Sequence, residues 1–297
     1  MRPLIIYIAG YGRSGSTVLD IALGATCDNA VSLGEAVGLP RSSKRKRLGC
    51  SCGAAYSECS VWSECLDSSQ VRKADWAGIA RRDWIFPIRA CPKRIYSMFW
   101  ERVLKARLMI GIDGVSNGLS SSKHIAIDSS KTIIYTANRP RNLVQCAVAD
   151  VFVVHVRRPL GGILLSRRRG RNVELANQME GRNLSAREKV FGLIWYLVVP
   201  LHALLADFFA SKLSKSDEFL GYVEVHFDKL VQNPEAVAIE IWKRVSSATG
   251  RDLTIRSPVC NRVGVDHVVE GNRLLRDKKG VQIKPSNTLS KNQSNKE

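Results

Sequence analysis

Four short apolar runs recur along the chain, and each has the length of a buried β-strand. They cover Leu4–Ala9, Ile125–Asp128, Val151–Val156 and Gly221–Phe227. Segments with helical spacing follow the first and the last of these runs, at Thr17–Leu23 and Pro234–Val245. Because strands that alternate with helices are typical of parallel sheets, the pattern predicts an α/β fold with a central parallel sheet flanked by helices.

The segments between and after these runs predict one domain with an insertion. Residues 36–123 lack a regular pattern, apart from a helical stretch at Ile95–Leu108, and we expect them to form a helical and irregular insertion over the active site. The sequence predicts a single domain over residues 1–275. The polar and basic residues 276–297 are expected to be a disordered tail.

One apolar stretch, Phe191–Ala210, has the length of a membrane span. Three residues that are unfavourable inside a bilayer interrupt it, namely Pro200, His202 and Asp207. A core helix is therefore the favoured interpretation, and no transmembrane segment is expected. The first residues lack the long apolar region and cleavage site of a signal peptide, so we expect a soluble cytoplasmic protein with reduced thiols.

The charge of the chain indicates an anionic partner and is concentrated in three segments. The 297 residues include 45 Lys and Arg against 27 Asp and Glu, a net charge of +18. Such a charge suits nucleic acid, an acidic membrane, or a phosphorylated or sulfated small molecule. The basic runs lie at Arg41–Arg47, Arg157–Arg171 and Arg273–Glu297. Because aromatic residues are not interleaved with these runs, we expect no nucleic-acid partner.

A glycine-rich loop follows the first predicted strand and precedes the first predicted helix. Its sequence is Gly10-Tyr-Gly-Arg-Ser-Gly-Ser-Thr17. Glycines let a backbone wrap around an anion, and amide hydrogens converge on that anion at a helix N-terminus. The spacing is that of the phosphate loop GxxxxGK[ST], but Ser16 occupies the position of the lysine that contacts a nucleoside triphosphate. This departure argues against an ATPase or kinase, and Arg13 offers a fork of donors instead.

The run Gly12-Arg13-Ser14-Gly15-Ser16-Thr17 resembles the 5′-phosphosulfate loop, GxxRSG[ST]T, of sulfotransferases that use 3′-phosphoadenosine-5′-phosphosulfate (PAPS). The resemblance implies a P-loop-type three-layer fold and PAPS as the sulfuryl donor, with no metal required. It also implies that the 5′-phosphosulfate is bound by Gly12, Arg13, Ser14, Gly15, Ser16 and Thr17.

Two adjacent arginines at the end of the third apolar run form a second candidate anion site. Arg157 and Arg158 precede a proline suited to the first turn of a helix, and Ser166 follows about two turns later. An Arg and a Ser at this spacing can hold one phosphate from two sides. The segment is similar to the RDPxxxxxS element that binds the 3′-phosphate in these sulfotransferases. The spacing to Ser166 favours Arg158, whereas the distance from the proline favours Arg157, so both arginines are candidates.

Candidate catalytic residues lie in two further segments. Asp128-Ser-Ser-Lys131 resembles a segment of bacterial and glycan sulfotransferases, which implies that Lys131, with Arg13, stabilises charge on the bridging oxygen as the sulfuryl group leaves. Glu35 follows the first predicted helix, and a carboxylate there can accept the proton of an acceptor hydroxyl. We expect Glu35 to be the base, with His267 as the rival.

The C-terminal part of the chain carries two more elements of the same family. Residues 266–273 are similar to its HxxxGN element, which implies cofactor contacts by Gly271, Asn272 and Arg273. Val225–Glu235 resembles its structural RYEDLVxxPE signature. The resemblance therefore covers five elements in the expected order along the chain.

Four closely spaced cysteines form a motif that the loop and the arginines do not explain. They are Cys50, Cys52, Cys59 and Cys65. Closely spaced thiols can hold Zn²⁺, but the usual CxxC spacing is absent and no histidine lies nearby in the sequence. The run is similar to CxCGxxxxxCxxW in bacterial sulfotransferases, with Trp62 in place. We favour structural thiols or a disulfide over a zinc site, and assign no metal ligand.

These observations predict a sulfotransferase that moves a sulfuryl group from PAPS to a hydroxyl or amine, by in-line displacement with adenosine 3′,5′-bisphosphate (PAP) as the leaving group. The acceptor is expected to be a small molecule, a glycan or a lipid. One alternative is a P-loop kinase-like enzyme whose lysine is displaced, for example to Lys131. The other is a basic nucleic-acid-binding protein.

Overall fold

The first strand is apolar at every position because it lies at the centre of a parallel sheet. In the computed structural model, which describes residues 2–39, 49–66, 93–113, 124–130, 139–146, 149–167, 186–257 and 267–269, five strands form one sheet in the order β2-β3-β1-β4-β5. All of its strand pairs are parallel. The strands are β1 (Leu4–Ala9), β2 (Ala30–Gly34), β3 (Ile125–Asp128), β4 (Asp150–Arg157) and β5 (Gly221–His226).

Helices cover both faces of this sheet. The α-helices are α1 (Ser16–Thr26), α2 (Trp62–Leu66), α3 (Lys93–Asp113), α4 (Arg139–Gln145), α5 (Ala186–Lys212), α6 (Phe227–Gln232) and α7 (Pro234–Thr249), with short 3₁₀ turns at Ala36–Gly38 and Leu213–Lys215. Residues 160–167 are also helical.

Alternate residues of β1 enter two separate hydrophobic cores. Leu4, Ile6 and Ile8 pack with α1 and α7, whereas the odd-numbered positions pack with α3 and α4. This division follows from the two-residue period of a strand. The predicted three-layer α/β fold with a central parallel sheet is therefore confirmed.

The predicted strands match the observed ones to within one residue at each end. The sequence interpretation missed β2, which is only five residues long and contains Ser32 and Gly34. Its short length and polar serine hid the strand among the irregular residues that follow α1. Helices α2 and α3 lie within the expected insertion, whose bounds stay a prediction, and the expected tail lies outside the described residues.

The long apolar segment belongs to α5 and has two different faces where its side chains are described. Ala206 and Ala210 are buried, but Leu201, Leu204 and Phe208 are each more than half exposed. The expectation of a core helix is therefore correct for one face only. No helix in the described parts of the chain combines the length and apolar character needed to cross a membrane.

The order of the strands places a crevice between β1 and β4. The chain leaves β1 towards β2 and β3 on one side, and it continues from β3 to β4 on the other side of β1. Ligands of open α/β sheets bind outside the carboxyl ends of strands at such a switch point. The glycine loop follows β1 and Arg157-Arg158 ends β4, so both candidate anion sites border this crevice.

Candidate active site

The glycine loop, residues 10–17, joins β1 to α1 and packs closely against its neighbours. Gly10 has a φ of 140°, and a Cβ there would lie 2.7 Å from the carbonyl oxygen of Val156. Gly15 has a φ of 101°, and a Cβ there would lie 2.8 Å from a ring carbon of Phe227. Both positions combine a left-handed backbone with a close approach, so only glycine fits without displacing β4 or α6.

Two serine hydroxyls of this loop are buried and have no hydrogen-bond partner among the described residues. Ser14 is 1% exposed and Ser16 is 2% exposed. A buried polar group without a partner costs about 1–3 kcal/mol. The first amides of α1 also lack intrahelical partners, and its N-cap, Gly15, makes no side-chain cap hydrogen bond. Hydroxyls and amides at one helix N-terminus therefore offer several donors to an oxyanion.

The two adjacent arginines at the end of β4 have different surroundings. Arg157 is held by acidic side chains: its guanidinium donates to both carboxylate oxygens of Asp207, at 2.8 and 2.7 Å, and to Glu224 at 3.2 Å. Arg158 instead donates from Nη1 to the carbonyl oxygen of Arg13 at 2.8 Å. Its guanidinium stacks 3.7 Å from the centre of the Phe227 ring. Arg158 therefore brings positive charge to the glycine loop, while the guanidinium of Arg157 is paired with the carboxylates of Asp207 and Glu224.

A third arginine reaches the same loop from the helical segment 160–167. Arg167 donates to the Tyr11 hydroxyl at 3.1 Å and lies 5.1 Å from the centre of its ring. Ser166, the predicted partner of the phosphate, is partly buried one residue earlier in this segment. A cavity of about 350 Å³ lies between the end of β4 and α5, and Arg157, Arg158 and Ile163 are among its lining residues.

Glu35 lies at the carboxyl end of β2, on the other side of the glycine loop from the arginines. Its amide donates to the carbonyl oxygen of Val269 at 2.8 Å, which fixes its backbone, and its side chain is partly buried. One strand, β3, separates β2 from β1. Because neighbouring strands lie about 4.8 Å apart, the ends of β2 and β1 are separated by about 10 Å. Glu35 and the glycine loop thus border the same edge of the sheet.

Asp128 ends β3 between these two strands and is fully buried. Burial raises the pKa of the Asp128 carboxyl from 3.8 to about 6, although Arg139 and hydrogen bonds from Ser130 act in the opposite direction. The negative charge of Glu35 adds to the increase. The edge of the sheet next to the loop therefore carries a carboxyl group that takes up a proton in mildly acidic solution.

Asp20 of α1 links β2 to the end of β3 by hydrogen bonds. Its carboxylate accepts hydrogen bonds from the hydroxyls of Ser32 and Ser129, both at 2.6 Å. Arg107 of α3 donates to the carbonyl oxygen of Ser32 at 3.1 Å. These contacts fix the carboxyl ends of β2 and β3 relative to the helix that starts at the glycine loop.

His267, the rival base, lies beside the cysteines. Its Nδ1 is 3.2 Å from Sγ of Cys59 and 3.7 Å from Sγ of Cys50. The sequence interpretation expected no histidine near these thiols, because 208 residues separate Cys59 from His267 along the chain. The structure corrects that expectation. Cys50, Cys52, Cys59 and Cys65 are all free thiols, which agrees with the first of the two favoured alternatives, structural thiols or a disulfide.

Four of the predicted site residues lie outside the described residues. They are Lys131, Gly271, Asn272 and Arg273.

Two contacts at the loop were not anticipated from the sequence, the ring of Phe227 under Arg158 and the hydroxyl of Tyr11 under Arg167. Phe227 lies within the Val225–Glu235 segment, which gave no signal beyond a structural role, and Tyr11 occupies a variable position of the loop pattern.

Known structures give two similar folds. The sulfotransferase domain from the curacin biosynthetic pathway is 14% identical, with a TM-score of 0.40 over 85% of this chain and 76% of that chain. The sulfotransferase domain from the Synechococcus PCC 7002 olefin synthase is 15% identical, with a TM-score of 0.35 over 84% of this chain and 74% of that chain. No protein-family model matches the chain, and no curated protein matches it.

Proposed function

We propose that this protein is a sulfotransferase that moves a sulfuryl group from PAPS to a hydroxyl or amine of an acceptor. One observation carries the proposal: at the N-terminus of α1, the buried hydroxyls of Ser14 and Ser16 have no hydrogen-bond partner in the part of the chain that the structure describes, and Arg158 contacts the same loop. An oxyanion with the size of a phosphate or a sulfate would satisfy the two hydroxyls, and Arg158 beside the loop offers positive charge to a second anionic group. The serine at position 16 replaces the lysine of a triphosphate site, which favours a donor without a triphosphate.

The donor has two anionic ends, and the crevice between β1 and β4 has cationic or donor groups for both. We assign the 5′-phosphosulfate to the glycine loop and the 3′-phosphate to Arg158 with Ser166. The contacts of Arg157 with Asp207 and Glu224 support the choice of Arg158, because Arg157 would have to leave two carboxylates to bind a phosphate. Gly271, Asn272 and Arg273 stay candidates for further cofactor contacts.

The proposed reaction is an in-line displacement at sulfur. The acceptor oxygen or nitrogen forms a bond to sulfur while the bond between sulfur and the bridging oxygen of PAPS breaks, and its electron pair stays on the 5′-phosphate of PAP. The loop amides and Arg13 stabilise the charge on that side, together with Lys131. The protein thus acts chiefly by holding two reactants in line.

We propose that Glu35 is the base that accepts the proton of the acceptor hydroxyl or amine. About 10 Å between the ends of β2 and β1 leaves room for the sulfuryl group and the acceptor between Glu35 and the loop. His267 is the weaker candidate, because its Nδ1 faces the sulfur atoms of Cys50 and Cys59. The acceptor class is proposed to be a small molecule, a glycan or a lipid.

The test is transfer of radiolabelled sulfate from PAPS to a panel of hydroxyl and amine acceptors. We expect label in at least one acceptor, and a loss of transfer of about 100-fold or more in Arg13→Ala. Arg244→Ala is the matched control, since Arg244 is an exposed residue paired with Glu240 on α7. ATP hydrolysis or ATP-dependent heat stabilisation in the presence of Mg²⁺, without any response to PAPS, would contradict the proposal and favour a kinase-like enzyme.

A further inference from the structure

Three thiols and one imidazole converge beside the edge strand β2. We call Cys50, Cys52, Cys59 and His267 the cysteine–histidine cluster. Their four ligand atoms, three Sγ and one Nδ1, all lie within 4.8 Å of one another. Cys50 and Cys59 are buried, His267 is partly buried, and Cys52 is exposed. None of these side chains is needed for the proposed reaction.

Three of the six separations between these atoms are close to those of a tetrahedral zinc site. With Zn–S bonds of 2.3 Å and a Zn–N bond of 2.0–2.1 Å, the edges of the tetrahedron are about 3.8 Å between two sulfurs and about 3.6 Å between sulfur and nitrogen. The Cys52 and Cys59 sulfurs are 3.9 Å apart, and Nδ1 of His267 lies 3.7 and 3.2 Å from the sulfurs of Cys50 and Cys59. The other three separations are no longer than 4.8 Å, so a small shift of the side chains brings all four ligand atoms to bonding distance of one ion.

The backbone around the cysteines presents them on a tight turn. Gly49 and Ala55 form an antiparallel bridge, and the amide of Gly53 donates to the carbonyl oxygen of Cys50 at 2.9 Å. Gly53 has a φ of 94°, which is the conformation that glycine tolerates best. Two thiols two residues apart on one turn therefore point into the same space, and the third follows on the next turn.

The fourth ligand arrives from the other end of the described chain. His267 has a φ of 53°, and the amide of the next residue, Val268, donates to the Ser51 hydroxyl at 2.9 Å. Val269 forms a parallel bridge with Gly34. Residues 267–269 thus contact both the turn that carries the cysteines and the strand that ends at Gly34.

We propose that the cysteine–histidine cluster binds one Zn²⁺ as a closed, four-coordinate structural site. Three thiols bind as thiolates and release their protons to water, and the imidazole binds through Nδ1. The ion cross-links residues 267–269 to the turn at residues 49–59. Because Val269 accepts the hydrogen bond from the Glu35 amide, this cross-link positions the backbone of the proposed base. The inference differs from the sequence interpretation, which lacked a fourth ligand.

The test is the metal content of the full chain, purified without chelator and measured by plasma mass spectrometry. We expect about one Zn²⁺ per chain in the wild-type protein and less than about a tenth of that in Cys52→Ala and His267→Asn. Cys52 is exposed, so its truncation changes stability little by packing alone. Asparagine is among the residues that best tolerate the left-handed backbone at position 267, so that variant isolates the loss of the ligand.

Cys65→Ser is the matched control, because Cys65 is a buried thiol of the same segment that points at the carbonyl oxygens of Val61 and Arg102. It should keep its zinc. A chelator should lower the melting temperature of the wild-type protein and of Cys65→Ser, but not that of Cys52→Ala. The proposal is overturned if the wild-type protein contains no zinc. It is also overturned if the intact mass is lower by two hydrogens, because that loss indicates a Cys52–Cys59 disulfide. Since no nucleotide is present, this outcome is independent of whether PAPS is the donor.

Discussion

The glycine loop and the cysteine–histidine cluster border the same edge of the sheet but are built in opposite ways. The loop is complete within eight consecutive residues, and its shape follows from glycines at positions 10 and 15. The cluster joins a turn at residues 50–59 to His267, which is 208 residues beyond Cys59. Among the described residues, two hydroxyls of the loop have no hydrogen-bond partner, whereas the ligand atoms of the cluster all lie within 4.8 Å of one another.

The difference indicates two roles: the loop binds a ligand reversibly, and the cluster holds two segments of the chain together. Unsatisfied donors at a helix N-terminus gain most when an external anion arrives, so the loop is suited to a ligand that comes and goes. Thiols and an imidazole at tetrahedral spacing gain most from an ion that stays. Changes to the loop should therefore alter nucleotide binding first, and changes to the cluster should alter stability and metal content first.

Gly15→Ala should give the largest effect on the loop. A Cβ at φ 101° costs about 1–2 kcal/mol, and its clash with Phe227 adds about 1–3 kcal/mol. We expect the affinity for PAP, measured by calorimetry, to fall by about 100-fold, the equivalent of one strong hydrogen bond to a charged group. Zinc content should not change.

Gly24→Ala is the control for that variant, because Gly24 lies in α1, the helix that Gly15 precedes, with only ordinary contacts at 3.9 Å and 4.0 Å. It should stabilise the protein by about 0.5–1 kcal/mol and leave PAP binding unchanged. Equal PAP affinity in Gly15→Ala and Gly24→Ala would remove the loop from the proposed site.

Arg158→Met should distinguish the two arginines at the end of β4. Methionine keeps the packing of the side chain on Phe227 but removes its charge, so PAP affinity should fall about 10- to 100-fold. Arg157→Met should instead lower the melting temperature, because Asp207 and Glu224 lose their partner, with PAP affinity changed by less than about threefold. Calorimetry and thermal unfolding of both variants provide the measurement, and the reverse pattern would reassign the 3′-phosphate to Arg157.

Gly34→Ala should weaken the cluster from the side of β2. Gly34 has a φ of 67°, and a Cβ there would meet the side chain of Val268 and lie 2.5 Å from the carbonyl oxygen of Val269. The displaced segment carries His267 with it, so we expect zinc affinity to fall about tenfold, the equivalent of 1.4 kcal/mol. Competition with a chromogenic chelator measures this change. Unchanged zinc affinity would mean that the cluster holds together without support from β2.

Asp128→Asn should give the smallest effect, a change in the pH dependence of stability. Because the pKa of Asp128 is raised to about 6 in the folded protein, its contribution to stability is complete below its ordinary value of 3.8 and is lost as the pH rises through about 6. The stability of the wild-type protein relative to Asp128→Asn should therefore fall by about 1 kcal/mol between pH 5 and pH 7. Urea unfolding of both proteins at several pH values measures the difference, and a constant difference would contradict the raised pKa.

The sequence predicted most of the sheet because the central strands are buried on both faces and therefore apolar at successive positions. The same argument failed for β2, a short edge strand whose Ser32 hydroxyl is bound by Asp20 of α1. Local order also placed the glycine loop correctly between β1 and α1. Arg157 and Arg158 could not be separated in advance, because the carboxylates that hold Arg157 come from α5 and β5.

The cysteines show even more clearly than the two arginines what residue spacing in the sequence cannot predict. The close spacing of Cys50 and Cys52 was visible in the sequence, but a search for a nearby histidine fails when the ligand lies 208 residues away. The hydrogen bond from the Val268 amide to the Ser51 hydroxyl joins the two segments, and the bridge between Gly34 and Val269 fixes residues 267–269 against β2. Long-range pairing of this kind depends on the tertiary fold, and no local pattern encodes it.

The most direct test of the proposed function compares PAP with adenosine 5′-monophosphate by calorimetry in the wild-type protein. The two ligands differ only by the 3′-phosphate, which we assign to Arg158. The account predicts that PAP binds at least about 10-fold more tightly, as expected for one charge-assisted hydrogen bond, and that Arg158→Met abolishes this preference. Failure to bind PAP, or equal affinities for both nucleotides in the wild-type protein, would contradict it.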